Sequence, residues 1–184
     1  MNTTALRRAA ADLNFDQTSD DAIGDLLTAL ATSKPNGRLL DLGTGVGLSL
    51  GHLLAGMNAG ASVISLDNDP ALVAVARQHF GNDPRAEILV CDGKQWINEY
   101  RGAPFDLIFA DTWPGKFFVL ERTLSLVAPG GFYLIDDLRP QPNWPEGHHE
   151  KVTALIHYLK QRDDFRLVEM DWSTGLILMV KSVG

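Results

Sequence analysis

The chain has one cysteine, Cys91, among its 184 residues. A single thiol cannot form an intramolecular disulfide, which argues against a small secreted fold held together by disulfides. Long hydrophobic runs are also missing, since no apolar stretch approaches the about 20 residues of a membrane-spanning helix. The N-terminal residues contain two arginines but lack the apolar segment of a signal peptide. These absences predict a cytoplasmic protein with no membrane partner.

Basic residues are few as well. The chain has 16 Lys and Arg against 23 Asp and Glu, a formal net charge of −7. Proteins that bind nucleic acid need clustered Lys and Arg against the phosphates, so no nucleic-acid partner is expected. The length suits one domain, 1–184, with a substantial core. We therefore expect a single domain that acts on a small molecule.

Apolar strand candidates alternate with helix candidates along the chain. The predicted strands are 38–42, 62–67, 87–91, 105–111, 131–136, 165–171 and 176–181. The predicted helices are 20–31, 48–57, 70–80, 94–100, 116–127 and 147–162. This alternation predicts an α/β fold with a doubly wound, Rossmann-like seven-stranded sheet, mostly parallel, with helices on both faces. A turn in "DWSTG" predicts a C-terminal antiparallel hairpin. Residues 1–36 are expected to form an N-terminal helical cap on a cofactor-binding core, 37–184.

The first five predicted strands each end in or beside an aspartate. In doubly wound sheets, ligands bind beyond the carboxyl ends of the strands, so five acids at one edge indicate a site there. The alternative is that some of them cap helices or face solvent. The five acids are Asp41, Asp67, Asp92, Asp111 and Asp136.

The stretch "LLDLGTGVGLSLG" joins the first strand to a glycine-rich loop. A phosphate-binding P-loop needs a lysine after its glycines, and this loop has none. A dinucleotide fingerprint needs G-x-G-x-x-G, but Leu48 stands where the third glycine belongs. Useful nicotinamide binding is therefore not expected. Asp41, just before the loop, would lie unfavourably near a pyrophosphate and favourably near a cationic amino acid.

Three motifs resemble those of a known family. "LLDLGTGVG", "VISLDNDP" and "LVCDG" are similar to the first three cofactor motifs of class I S-adenosylmethionine (SAM)-dependent methyltransferases, and the resemblance covers about residues 20–181. It implies SAM as cofactor and a seven-stranded sheet that ends in an antiparallel hairpin. The implied cofactor residues are Gly43, Gly45 and Gly47 on the methionine side, Asp67 on the ribose, Asn68, Asp92 and Gly93 near the adenine, and Asp41 acting indirectly through the loop. Two alternatives stay open: Gly47 as a residue that permits close packing of a helix against a strand, and Asn68 as a helix cap.

The sequences around the fourth and fifth predicted strands resemble one subgroup of this family. "DLIFADTWPGKF" and "GGFYLIDDL" look like catechol/caffeoyl-CoA type O-methyltransferases, which bind a divalent metal through oxygen ligands. The resemblance implies a Mg²⁺ or Ca²⁺ site at Asp111, Asp136 and Asp137, with Asp111 and Trp113 also beside the cofactor. The chain departs from the family pattern twice, because Asp137 replaces an asparagine and Pro114 replaces the basic lysine. Lys116, two residues further on, serves as base only if the loop bends differently.

The stretch "LRPQPNWPEGHHE", residues 138–150, contains three prolines and is expected to be irregular. It follows the fifth strand at the mouth of the site, so it is a candidate acceptor wall on which Trp144 stacks against a flat acceptor. His148 or His149 is a candidate general base. The alternative is a solvent-facing histidine pair at the start of a helix.

The predicted function is a SAM-dependent methyltransferase that transfers methyl to an oxygen of a small-molecule acceptor, with or without a divalent metal. The alternatives are an N- or C-methyltransferase of the same fold without metal, and a non-catalytic SAM-binding subunit. The short N-terminal segment, with a candidate helix cap at Ser19, favours a small acceptor or a site completed by a second copy in a homodimer.

Overall fold

The computed structural model describes residues 3–141 and 144–184, and seven strands form a single sheet. The strands are β1 (Arg38–Leu42), β2 (Ser62–Asp67), β3 (Ala86–Val90), β4 (Phe105–Ala110), β5 (Val127–Ile135), β6 (Phe165–Met170) and β7 (Leu176–Lys181). Their order is β3-β2-β1-β4-β5-β7-β6. Strands β1 to β5 pair in parallel, whereas β7 runs antiparallel to both β5 and β6. The predicted sheet and its C-terminal antiparallel pair are therefore confirmed.

Eight helices accompany the sheet in the described part of the chain. They are α1 (Thr3–Asp12), α2 (Asp21–Thr32), α3 (Leu48–Gly56), α4 (Pro70–Phe80), α5 (Gly93–Glu99), α6 (Trp113–Lys116), α7 (Leu120–Ser125) and α8 (His148–Lys160). The sequence-based prediction missed α1 and placed the start of β5 four residues too late. Among these described residues, no helix is both long and apolar enough to cross a membrane.

The single helix predicted over 116–127 is wrong. Only Leu120–Ser125 of that range forms a separate helix, because Val119 inside the range has a φ of 52° and Gly115 just before it has a φ of 87°. Both values lie in the left-handed region, which an α-helix cannot include. The interruption matters for function because it changes where the side chain of Lys116 points.

Both faces of the sheet are buried. On β1, Leu39 packs with α2, α3 and α4, while its neighbour Leu40 packs with α5, α7 and α8. On β4, Phe109 and Ile108 divide between the two faces in the same way. Successive strand residues point to opposite faces, so nearly continuous apolar strands are required. Each fully buried Leu or Ile contributes about 1.5–3 kcal/mol.

The strand order reverses direction between β1 and β4. Strands β2 and β3 extend the sheet on one side of β1, and β4 and β5 extend it on the other. The loops after β1 and β4 therefore leave the sheet in different directions and open a crevice at the carboxyl edge. Gly43 follows β1 there and Asp111 follows β4.

Candidate active site

A cavity of about 620 Å³ opens at this crevice. Its volume is within the range of small-molecule binding sites. Twelve of the residues predicted for a site line it: Gly43, Gly45, Asp67, Asn68, Asp92, Gly93, Asp111, Trp113, Lys116, Asp136, Asp137 and His148. Three others, Asp41, Gly47 and His149, do not line it. Residues from the first five strand ends and from α8 thus meet in one cavity.

The glycine loop lets the backbone approach both the cavity and the neighbouring strand. Gly43 has a φ of 111°, and a Cβ built there would lie 2.7 Å from Cγ2 of Thr112. Gly47 has a φ of 98°, and its Cβ would lie 3.1 Å from Ala76 Cβ and from Phe80 Cε2. A side chain at Gly43 would therefore collide with the loop after β4. Gly47 instead allows the start of α3 to pack closely against α4, a helix–helix contact and not the expected helix–strand packing.

Asp41 lies behind the loop rather than in the cavity. It is fully buried, and its Oδ2 accepts hydrogen bonds from Ser49 Oγ at 3.1 Å and Ser65 Oγ at 2.7 Å. Its Oδ1 has no hydrogen-bond partner among the described residues. Burial raises the pKa of Asp41 to about 7, although the two serine hydroxyls oppose that rise. This carboxyl group ties the end of β1 to β2 and α3.

Asp67 connects the end of β2 to the glycine loop. Its Oδ2 accepts the backbone N–H of Gly45 at 2.9 Å, and its Oδ1 accepts the N–H of Asp69 at 3.0 Å. A carboxylate has about four lone-pair directions, so both oxygens retain capacity to accept ligand hydroxyls. Asn68 is exposed at the cavity edge. The cap of α4 is Asp69 and not Asn68, because the Asp69 carboxylate accepts the N–H of Ala71.

Asp92 and Gly93 close the same side of the cavity. Asp92 caps α5, since its side chain accepts the N–H of Gln95 at 2.7 Å. Gly93 is the first residue of that helix, and a Cβ there would lie 3.2 Å from Pro114 Cβ and 3.3 Å from Leu66 Cδ1. The cavity wall at Gly93 is therefore bare backbone, which a flat ring can approach closely.

Two acids after β4 and β5 face the opposite end of the cavity. Burial, followed by the charge of Asp136, raises the pKa of Asp111 well above its ordinary value. Burial raises the pKa of Asp136 to about 6, although the hydrogen bond that Thr174 Oγ1 donates opposes the rise. The ammonium of Lys116 lowers the pKa of both carboxyl groups. Lys116 therefore provides the nearby positive charge that offsets part of the repulsion.

Lys116 reaches this position because α6 is interrupted. Pro114 and Gly115 depart from helical geometry, with ψ of 132° and φ of 87° respectively. The hydroxyl of Tyr133 donates a hydrogen bond to the carbonyl of Gly115 and holds the bent backbone against β5. Lys116 is only 3% exposed and lines the cavity. The loop thus bends in the way that a role for Lys116 requires.

The arrangement of the acids does not fit the implied metal. Asp137 has a φ of 60°, and both of its carboxylate oxygens accept from Trp144 Nε1 at 3.1 Å. Asp136 Oδ1 accepts the backbone N–H of Asp137 as well as the Thr174 hydroxyl. Within residues 3–141 and 144–184, no three His, Cys, Asp or Glu side chains group closely enough to hold a metal ion.

His148 is enclosed by aromatic rings. Its ring centroid lies 4.5 Å from Trp144, 5.2 Å from Phe117 and 5.8 Å from Trp113. The side chain is 3% exposed, and neither ring nitrogen has a hydrogen-bond partner among the described residues. Burial lowers the pKa of His148, which favours the neutral imidazole. His149, one residue on, is exposed.

The N-terminal segment contributes residues that the sequence reasoning missed. Phe15 lines the cavity beside Gly45, with its Cε1 3.2 Å from a Cβ built at that glycine. Ser19 is not the cap of α2, because Asp20 accepts the N–H of Ile23. Ser19 instead donates to Asp111 Oδ2 at 3.4 Å. The one available signal was Phe15 itself, an apolar residue isolated in the polar stretch "LNFDQTSDD".

Thr174 is a second missed residue. It lies in the turn between β6 and β7 and lines the cavity through its contact with Asp136. No sequence signal marks it, since a threonine in a hairpin turn is ordinary. Pro142 and Asn143, within the predicted acceptor wall, lie outside the described residues.

Comparison with known proteins agrees with this geometry. A trans-aconitate 2-methyltransferase from Delftia acidovorans is 37% identical over 101 residues, 53% of this chain. The O-methyltransferase TomG from Streptomyces achromogenes, solved in complex with SAM, has a TM-score of 0.84 at 20% identity, over 98% of this chain and 89% of its own. An O-methyltransferase from Bacillus cereus, solved with SAH, has a TM-score of 0.81 at 20% identity, over 98% of this chain and 90% of its own.

The curated relatives are longer proteins. The chain spans 36% of the length of the Delftia enzyme and 60–61% of two other relatives. The methyltransferase domain family matches residues 39–131, which run from β1, the strand before the glycine loop, to the middle of β5. That match covers half of the chain, and the seven-stranded sheet accounts for it structurally. The chain therefore belongs to the methyltransferase domain family and has the class I methyltransferase fold.

Proposed function

We propose that this protein is a SAM-dependent methyltransferase that methylates an oxygen of a small molecule. The observation that carries the proposal is a single cavity lined both by the residues suited to SAM and by a buried histidine and lysine. A cofactor at one end and a proton acceptor at the other are what a methyl transfer requires. A cavity of about 620 Å³ supports a small-molecule acceptor.

The side chains and backbone that line one end of the cavity, called the cofactor end, are of the kinds that SAM needs as partners. The bare backbone of Gly43 and Gly45 would lie against the amino-acid part of SAM, and Asp67 would accept the ribose hydroxyls. Asn68, Asp92 and Gly93 would surround the adenine, whereas Trp113, expected beside the cofactor, packs against Phe117 and His148. Asp41 and Gly47 would act through the loop, by holding its ends against β2 and α4. When bound, SAM supplies a methyl group on a positively charged sulfur.

The acceptor end would position and deprotonate the nucleophile. An acceptor hydroxyl placed beside His148 would donate its proton to the neutral imidazole as the oxygen takes the methyl group, leaving His148 protonated. Lys116, with its ammonium near Asp111 and Asp136, would hold the acceptor oxygen and stabilise its developing negative charge. The rings of Trp113, Phe117 and Trp144 around His148 would exclude water from this step.

This scheme uses no metal, because the acids that would hold one are not grouped as ligands in the described part of the chain. Asp137 binds Trp144, and Asp136 binds Thr174 and the peptide of Asp137. Among the described residues, no three acid, histidine or cysteine side chains lie close enough to share a divalent cation. The Mg²⁺ or Ca²⁺ site inferred from the sequence stays a prediction, as do the homodimer, the cytoplasmic location and the division into 1–36 and 37–184.

The test is methyl transfer by the purified chain. Calorimetry should show saturable binding of SAM and none of NAD. Methyl-labelled SAM, incubated with a panel of small hydroxylated compounds, should yield a labelled ether or ester identified by mass spectrometry. SAM binding without any product would favour a non-catalytic SAM-binding subunit. Labelled nitrogen or carbon would favour the N- or C-methyltransferase.

A further inference from the structure

A second cavity, of about 400 Å³, adjoins the first. Trp113 and Lys116 line both cavities, so the second begins at the residues that end the proposed methyl-transfer site. Its remaining walls come from α7, α8 and the residues between α6 and α7. The second cavity thus adjoins the Lys116 side of the first, and no residue of the glycine loop lines it.

The second cavity has aromatic walls that solvent can reach. Trp113, Phe118 and Tyr158 line it and are 37%, 45% and 41% exposed. Leu155 of α8 lies at its base and is buried. Clustered exposed apolar side chains around a concavity are typical of a binding site, since leaving them in water is unfavourable. The walls suit a flat apolar group.

The charge around this cavity is positive. Lys151 lines it, and its Nζ lies 4.3 Å from the Trp113 ring centroid. Within residues 3–141 and 144–184, Lys151 makes no ion pair. The nearby acid Glu121 is already occupied, because it accepts hydrogen bonds from the Tyr158 hydroxyl at 2.6 Å and from Arg162 at 2.7 Å.

We propose that the second cavity binds the body of the methyl acceptor, an aromatic compound that carries one anionic group, and that Lys151 pairs with that group. The proposal rests on the proposed function and names its substrate class. The acceptor oxygen would lie at Lys116 and His148, its ring between Trp113 and Leu155, and its anionic group at the outer end beside Lys151. Lys151 would act as a specificity-determining residue that does not touch the reacting atoms.

The first test uses a matched pair of fluorescent probes. Anilinonaphthalene sulfonate carries an anionic group on an aromatic body, and N-phenyl-1-naphthylamine has the same body without the charge. Both are titrated with SAH in excess, so that the cofactor cavity is filled. Wild type should bind the sulfonate more tightly than the neutral probe. Lys151→Gln should weaken only the sulfonate, by about fivefold, as expected for a partly exposed charge pair.

Two further variants separate charge from shape. Ala154 is an exposed α8 residue that lines the cavity, so Ala154→Trp should fill the cavity without disturbing the core and should abolish saturable binding of both probes. Lys160→Gln is the control, because Lys160 lies on the same helix but pairs with Glu169 away from the cavity. Sulfonate binding that Lys151→Gln leaves unchanged, or probe binding that Ala154→Trp leaves unchanged, would overturn the proposal.

The second test uses turnover. The acceptor panel contains matched pairs such as 3,4-dihydroxybenzoate and 3,4-dihydroxybenzamide. Wild type should prefer the acids in kcat/KM, and Lys151→Gln should remove that preference through KM with kcat retained. Preferred methylation of the amides would overturn this inference while supporting the proposed function. Absence of SAM binding in calorimetry would instead contradict the proposed function, whichever probe result is found.

Discussion

The two ends of the main cavity differ in how their polar groups are satisfied. At the cofactor end, Asp67 accepts two backbone N–H groups and Asp92 caps α5. At the acceptor end, neither ring nitrogen of His148 finds a partner among the described residues, and the pKa values of Asp111 and Asp136 are raised. The cofactor end is thus held in place by backbone contacts before any ligand binds, whereas His148 at the acceptor end has unused hydrogen-bonding capacity.

The difference reflects what each end must do. A preorganised loop binds a cofactor without paying for ordering at the moment of binding. A proton acceptor must keep a free lone pair, so it stays without a partner at some cost in stability. If this comparison is correct, substitutions at the two ends should affect different measurements.

The largest effect is expected for His148→Gln. Loss of the proton acceptor should lower kcat roughly 100-fold or more, while SAM affinity is unchanged. His149→Gln is the matched control, because the neighbouring ring is exposed and outside the cavity. Steady-state kinetics and calorimetry on both variants provide the test. A similar loss in the control, or full activity in His148→Gln, would remove His148 from the mechanism.

The pH profile gives a second measure of His148. A base works in its deprotonated form, so activity should rise as pH increases through its pKa. Burial lowers that pKa below the ordinary 6.5, so kcat/KM should already be level at neutral pH and fall only in acid. The acid limb should disappear in His148→Gln, provided the variant melts like wild type. A limb that persists would belong to another group.

Asp41 should affect stability and not turnover. Its pKa is raised to about 7 in the folded chain from 3.8, so the folded state holds the proton more tightly. Stability contributed by the protonated form is complete below about pH 4 and is lost as pH rises to about 7, by at most about 4 kcal/mol. Asp41→Asn cannot titrate, so its melting temperature should fall less than that of wild type between pH 4.5 and 8. The exposed Asp163→Asn should behave like wild type.

Asp67→Ala tests the cofactor end. Removing a carboxylate that accepts the ribose hydroxyls should weaken SAM binding by roughly 1.5–3 kcal/mol, the value of hydrogen bonds to a charged group. Calorimetry is the measurement, and a saturating SAM concentration should restore most of kcat because the acceptor end is intact. Unchanged affinity in a folded variant would show that Asp67 holds only the loop and does not bind the cofactor.

The smallest effect is expected from chelation. Because no three potential ligands group closely enough for a metal ion among the described residues, EDTA should change neither the melting temperature nor methyl transfer. Mg²⁺ added back should likewise have no effect on either measurement. Activity that falls in EDTA and returns with Mg²⁺ would instead support the metal site inferred from the sequence, and Asp136→Ala should then abolish that recovery.

The sequence could predict most of the sheet and the cofactor end for a local reason. Apolar runs specify buried strands, and the glycine loop with Asp67 follows from short-range spacing that the fold keeps. Where non-local contacts decide, the sequence failed. The helix predicted over 116–127 is interrupted at Val119, and the hydroxyl of Tyr133 on β5 holds the bent backbone at Gly115 just before it. Ser19 contacts Asp111 instead of capping α2, and Phe15 folds over Gly45.

The sequence by itself determined the class of fold, the alternation of strands with helices and the position of the carboxylates at one edge of the sheet. These features follow from the hydrophobic periodicity and from the direction in which the chain runs. Only the tertiary structure decided between His148 and His149. Adjacent helix residues point about 100° apart, so one histidine faces the cavity and the other faces solvent. Which one faces inward depends on how α8 docks on the sheet, through Val152 and Leu155, and no local pattern around "HHE" contains that information.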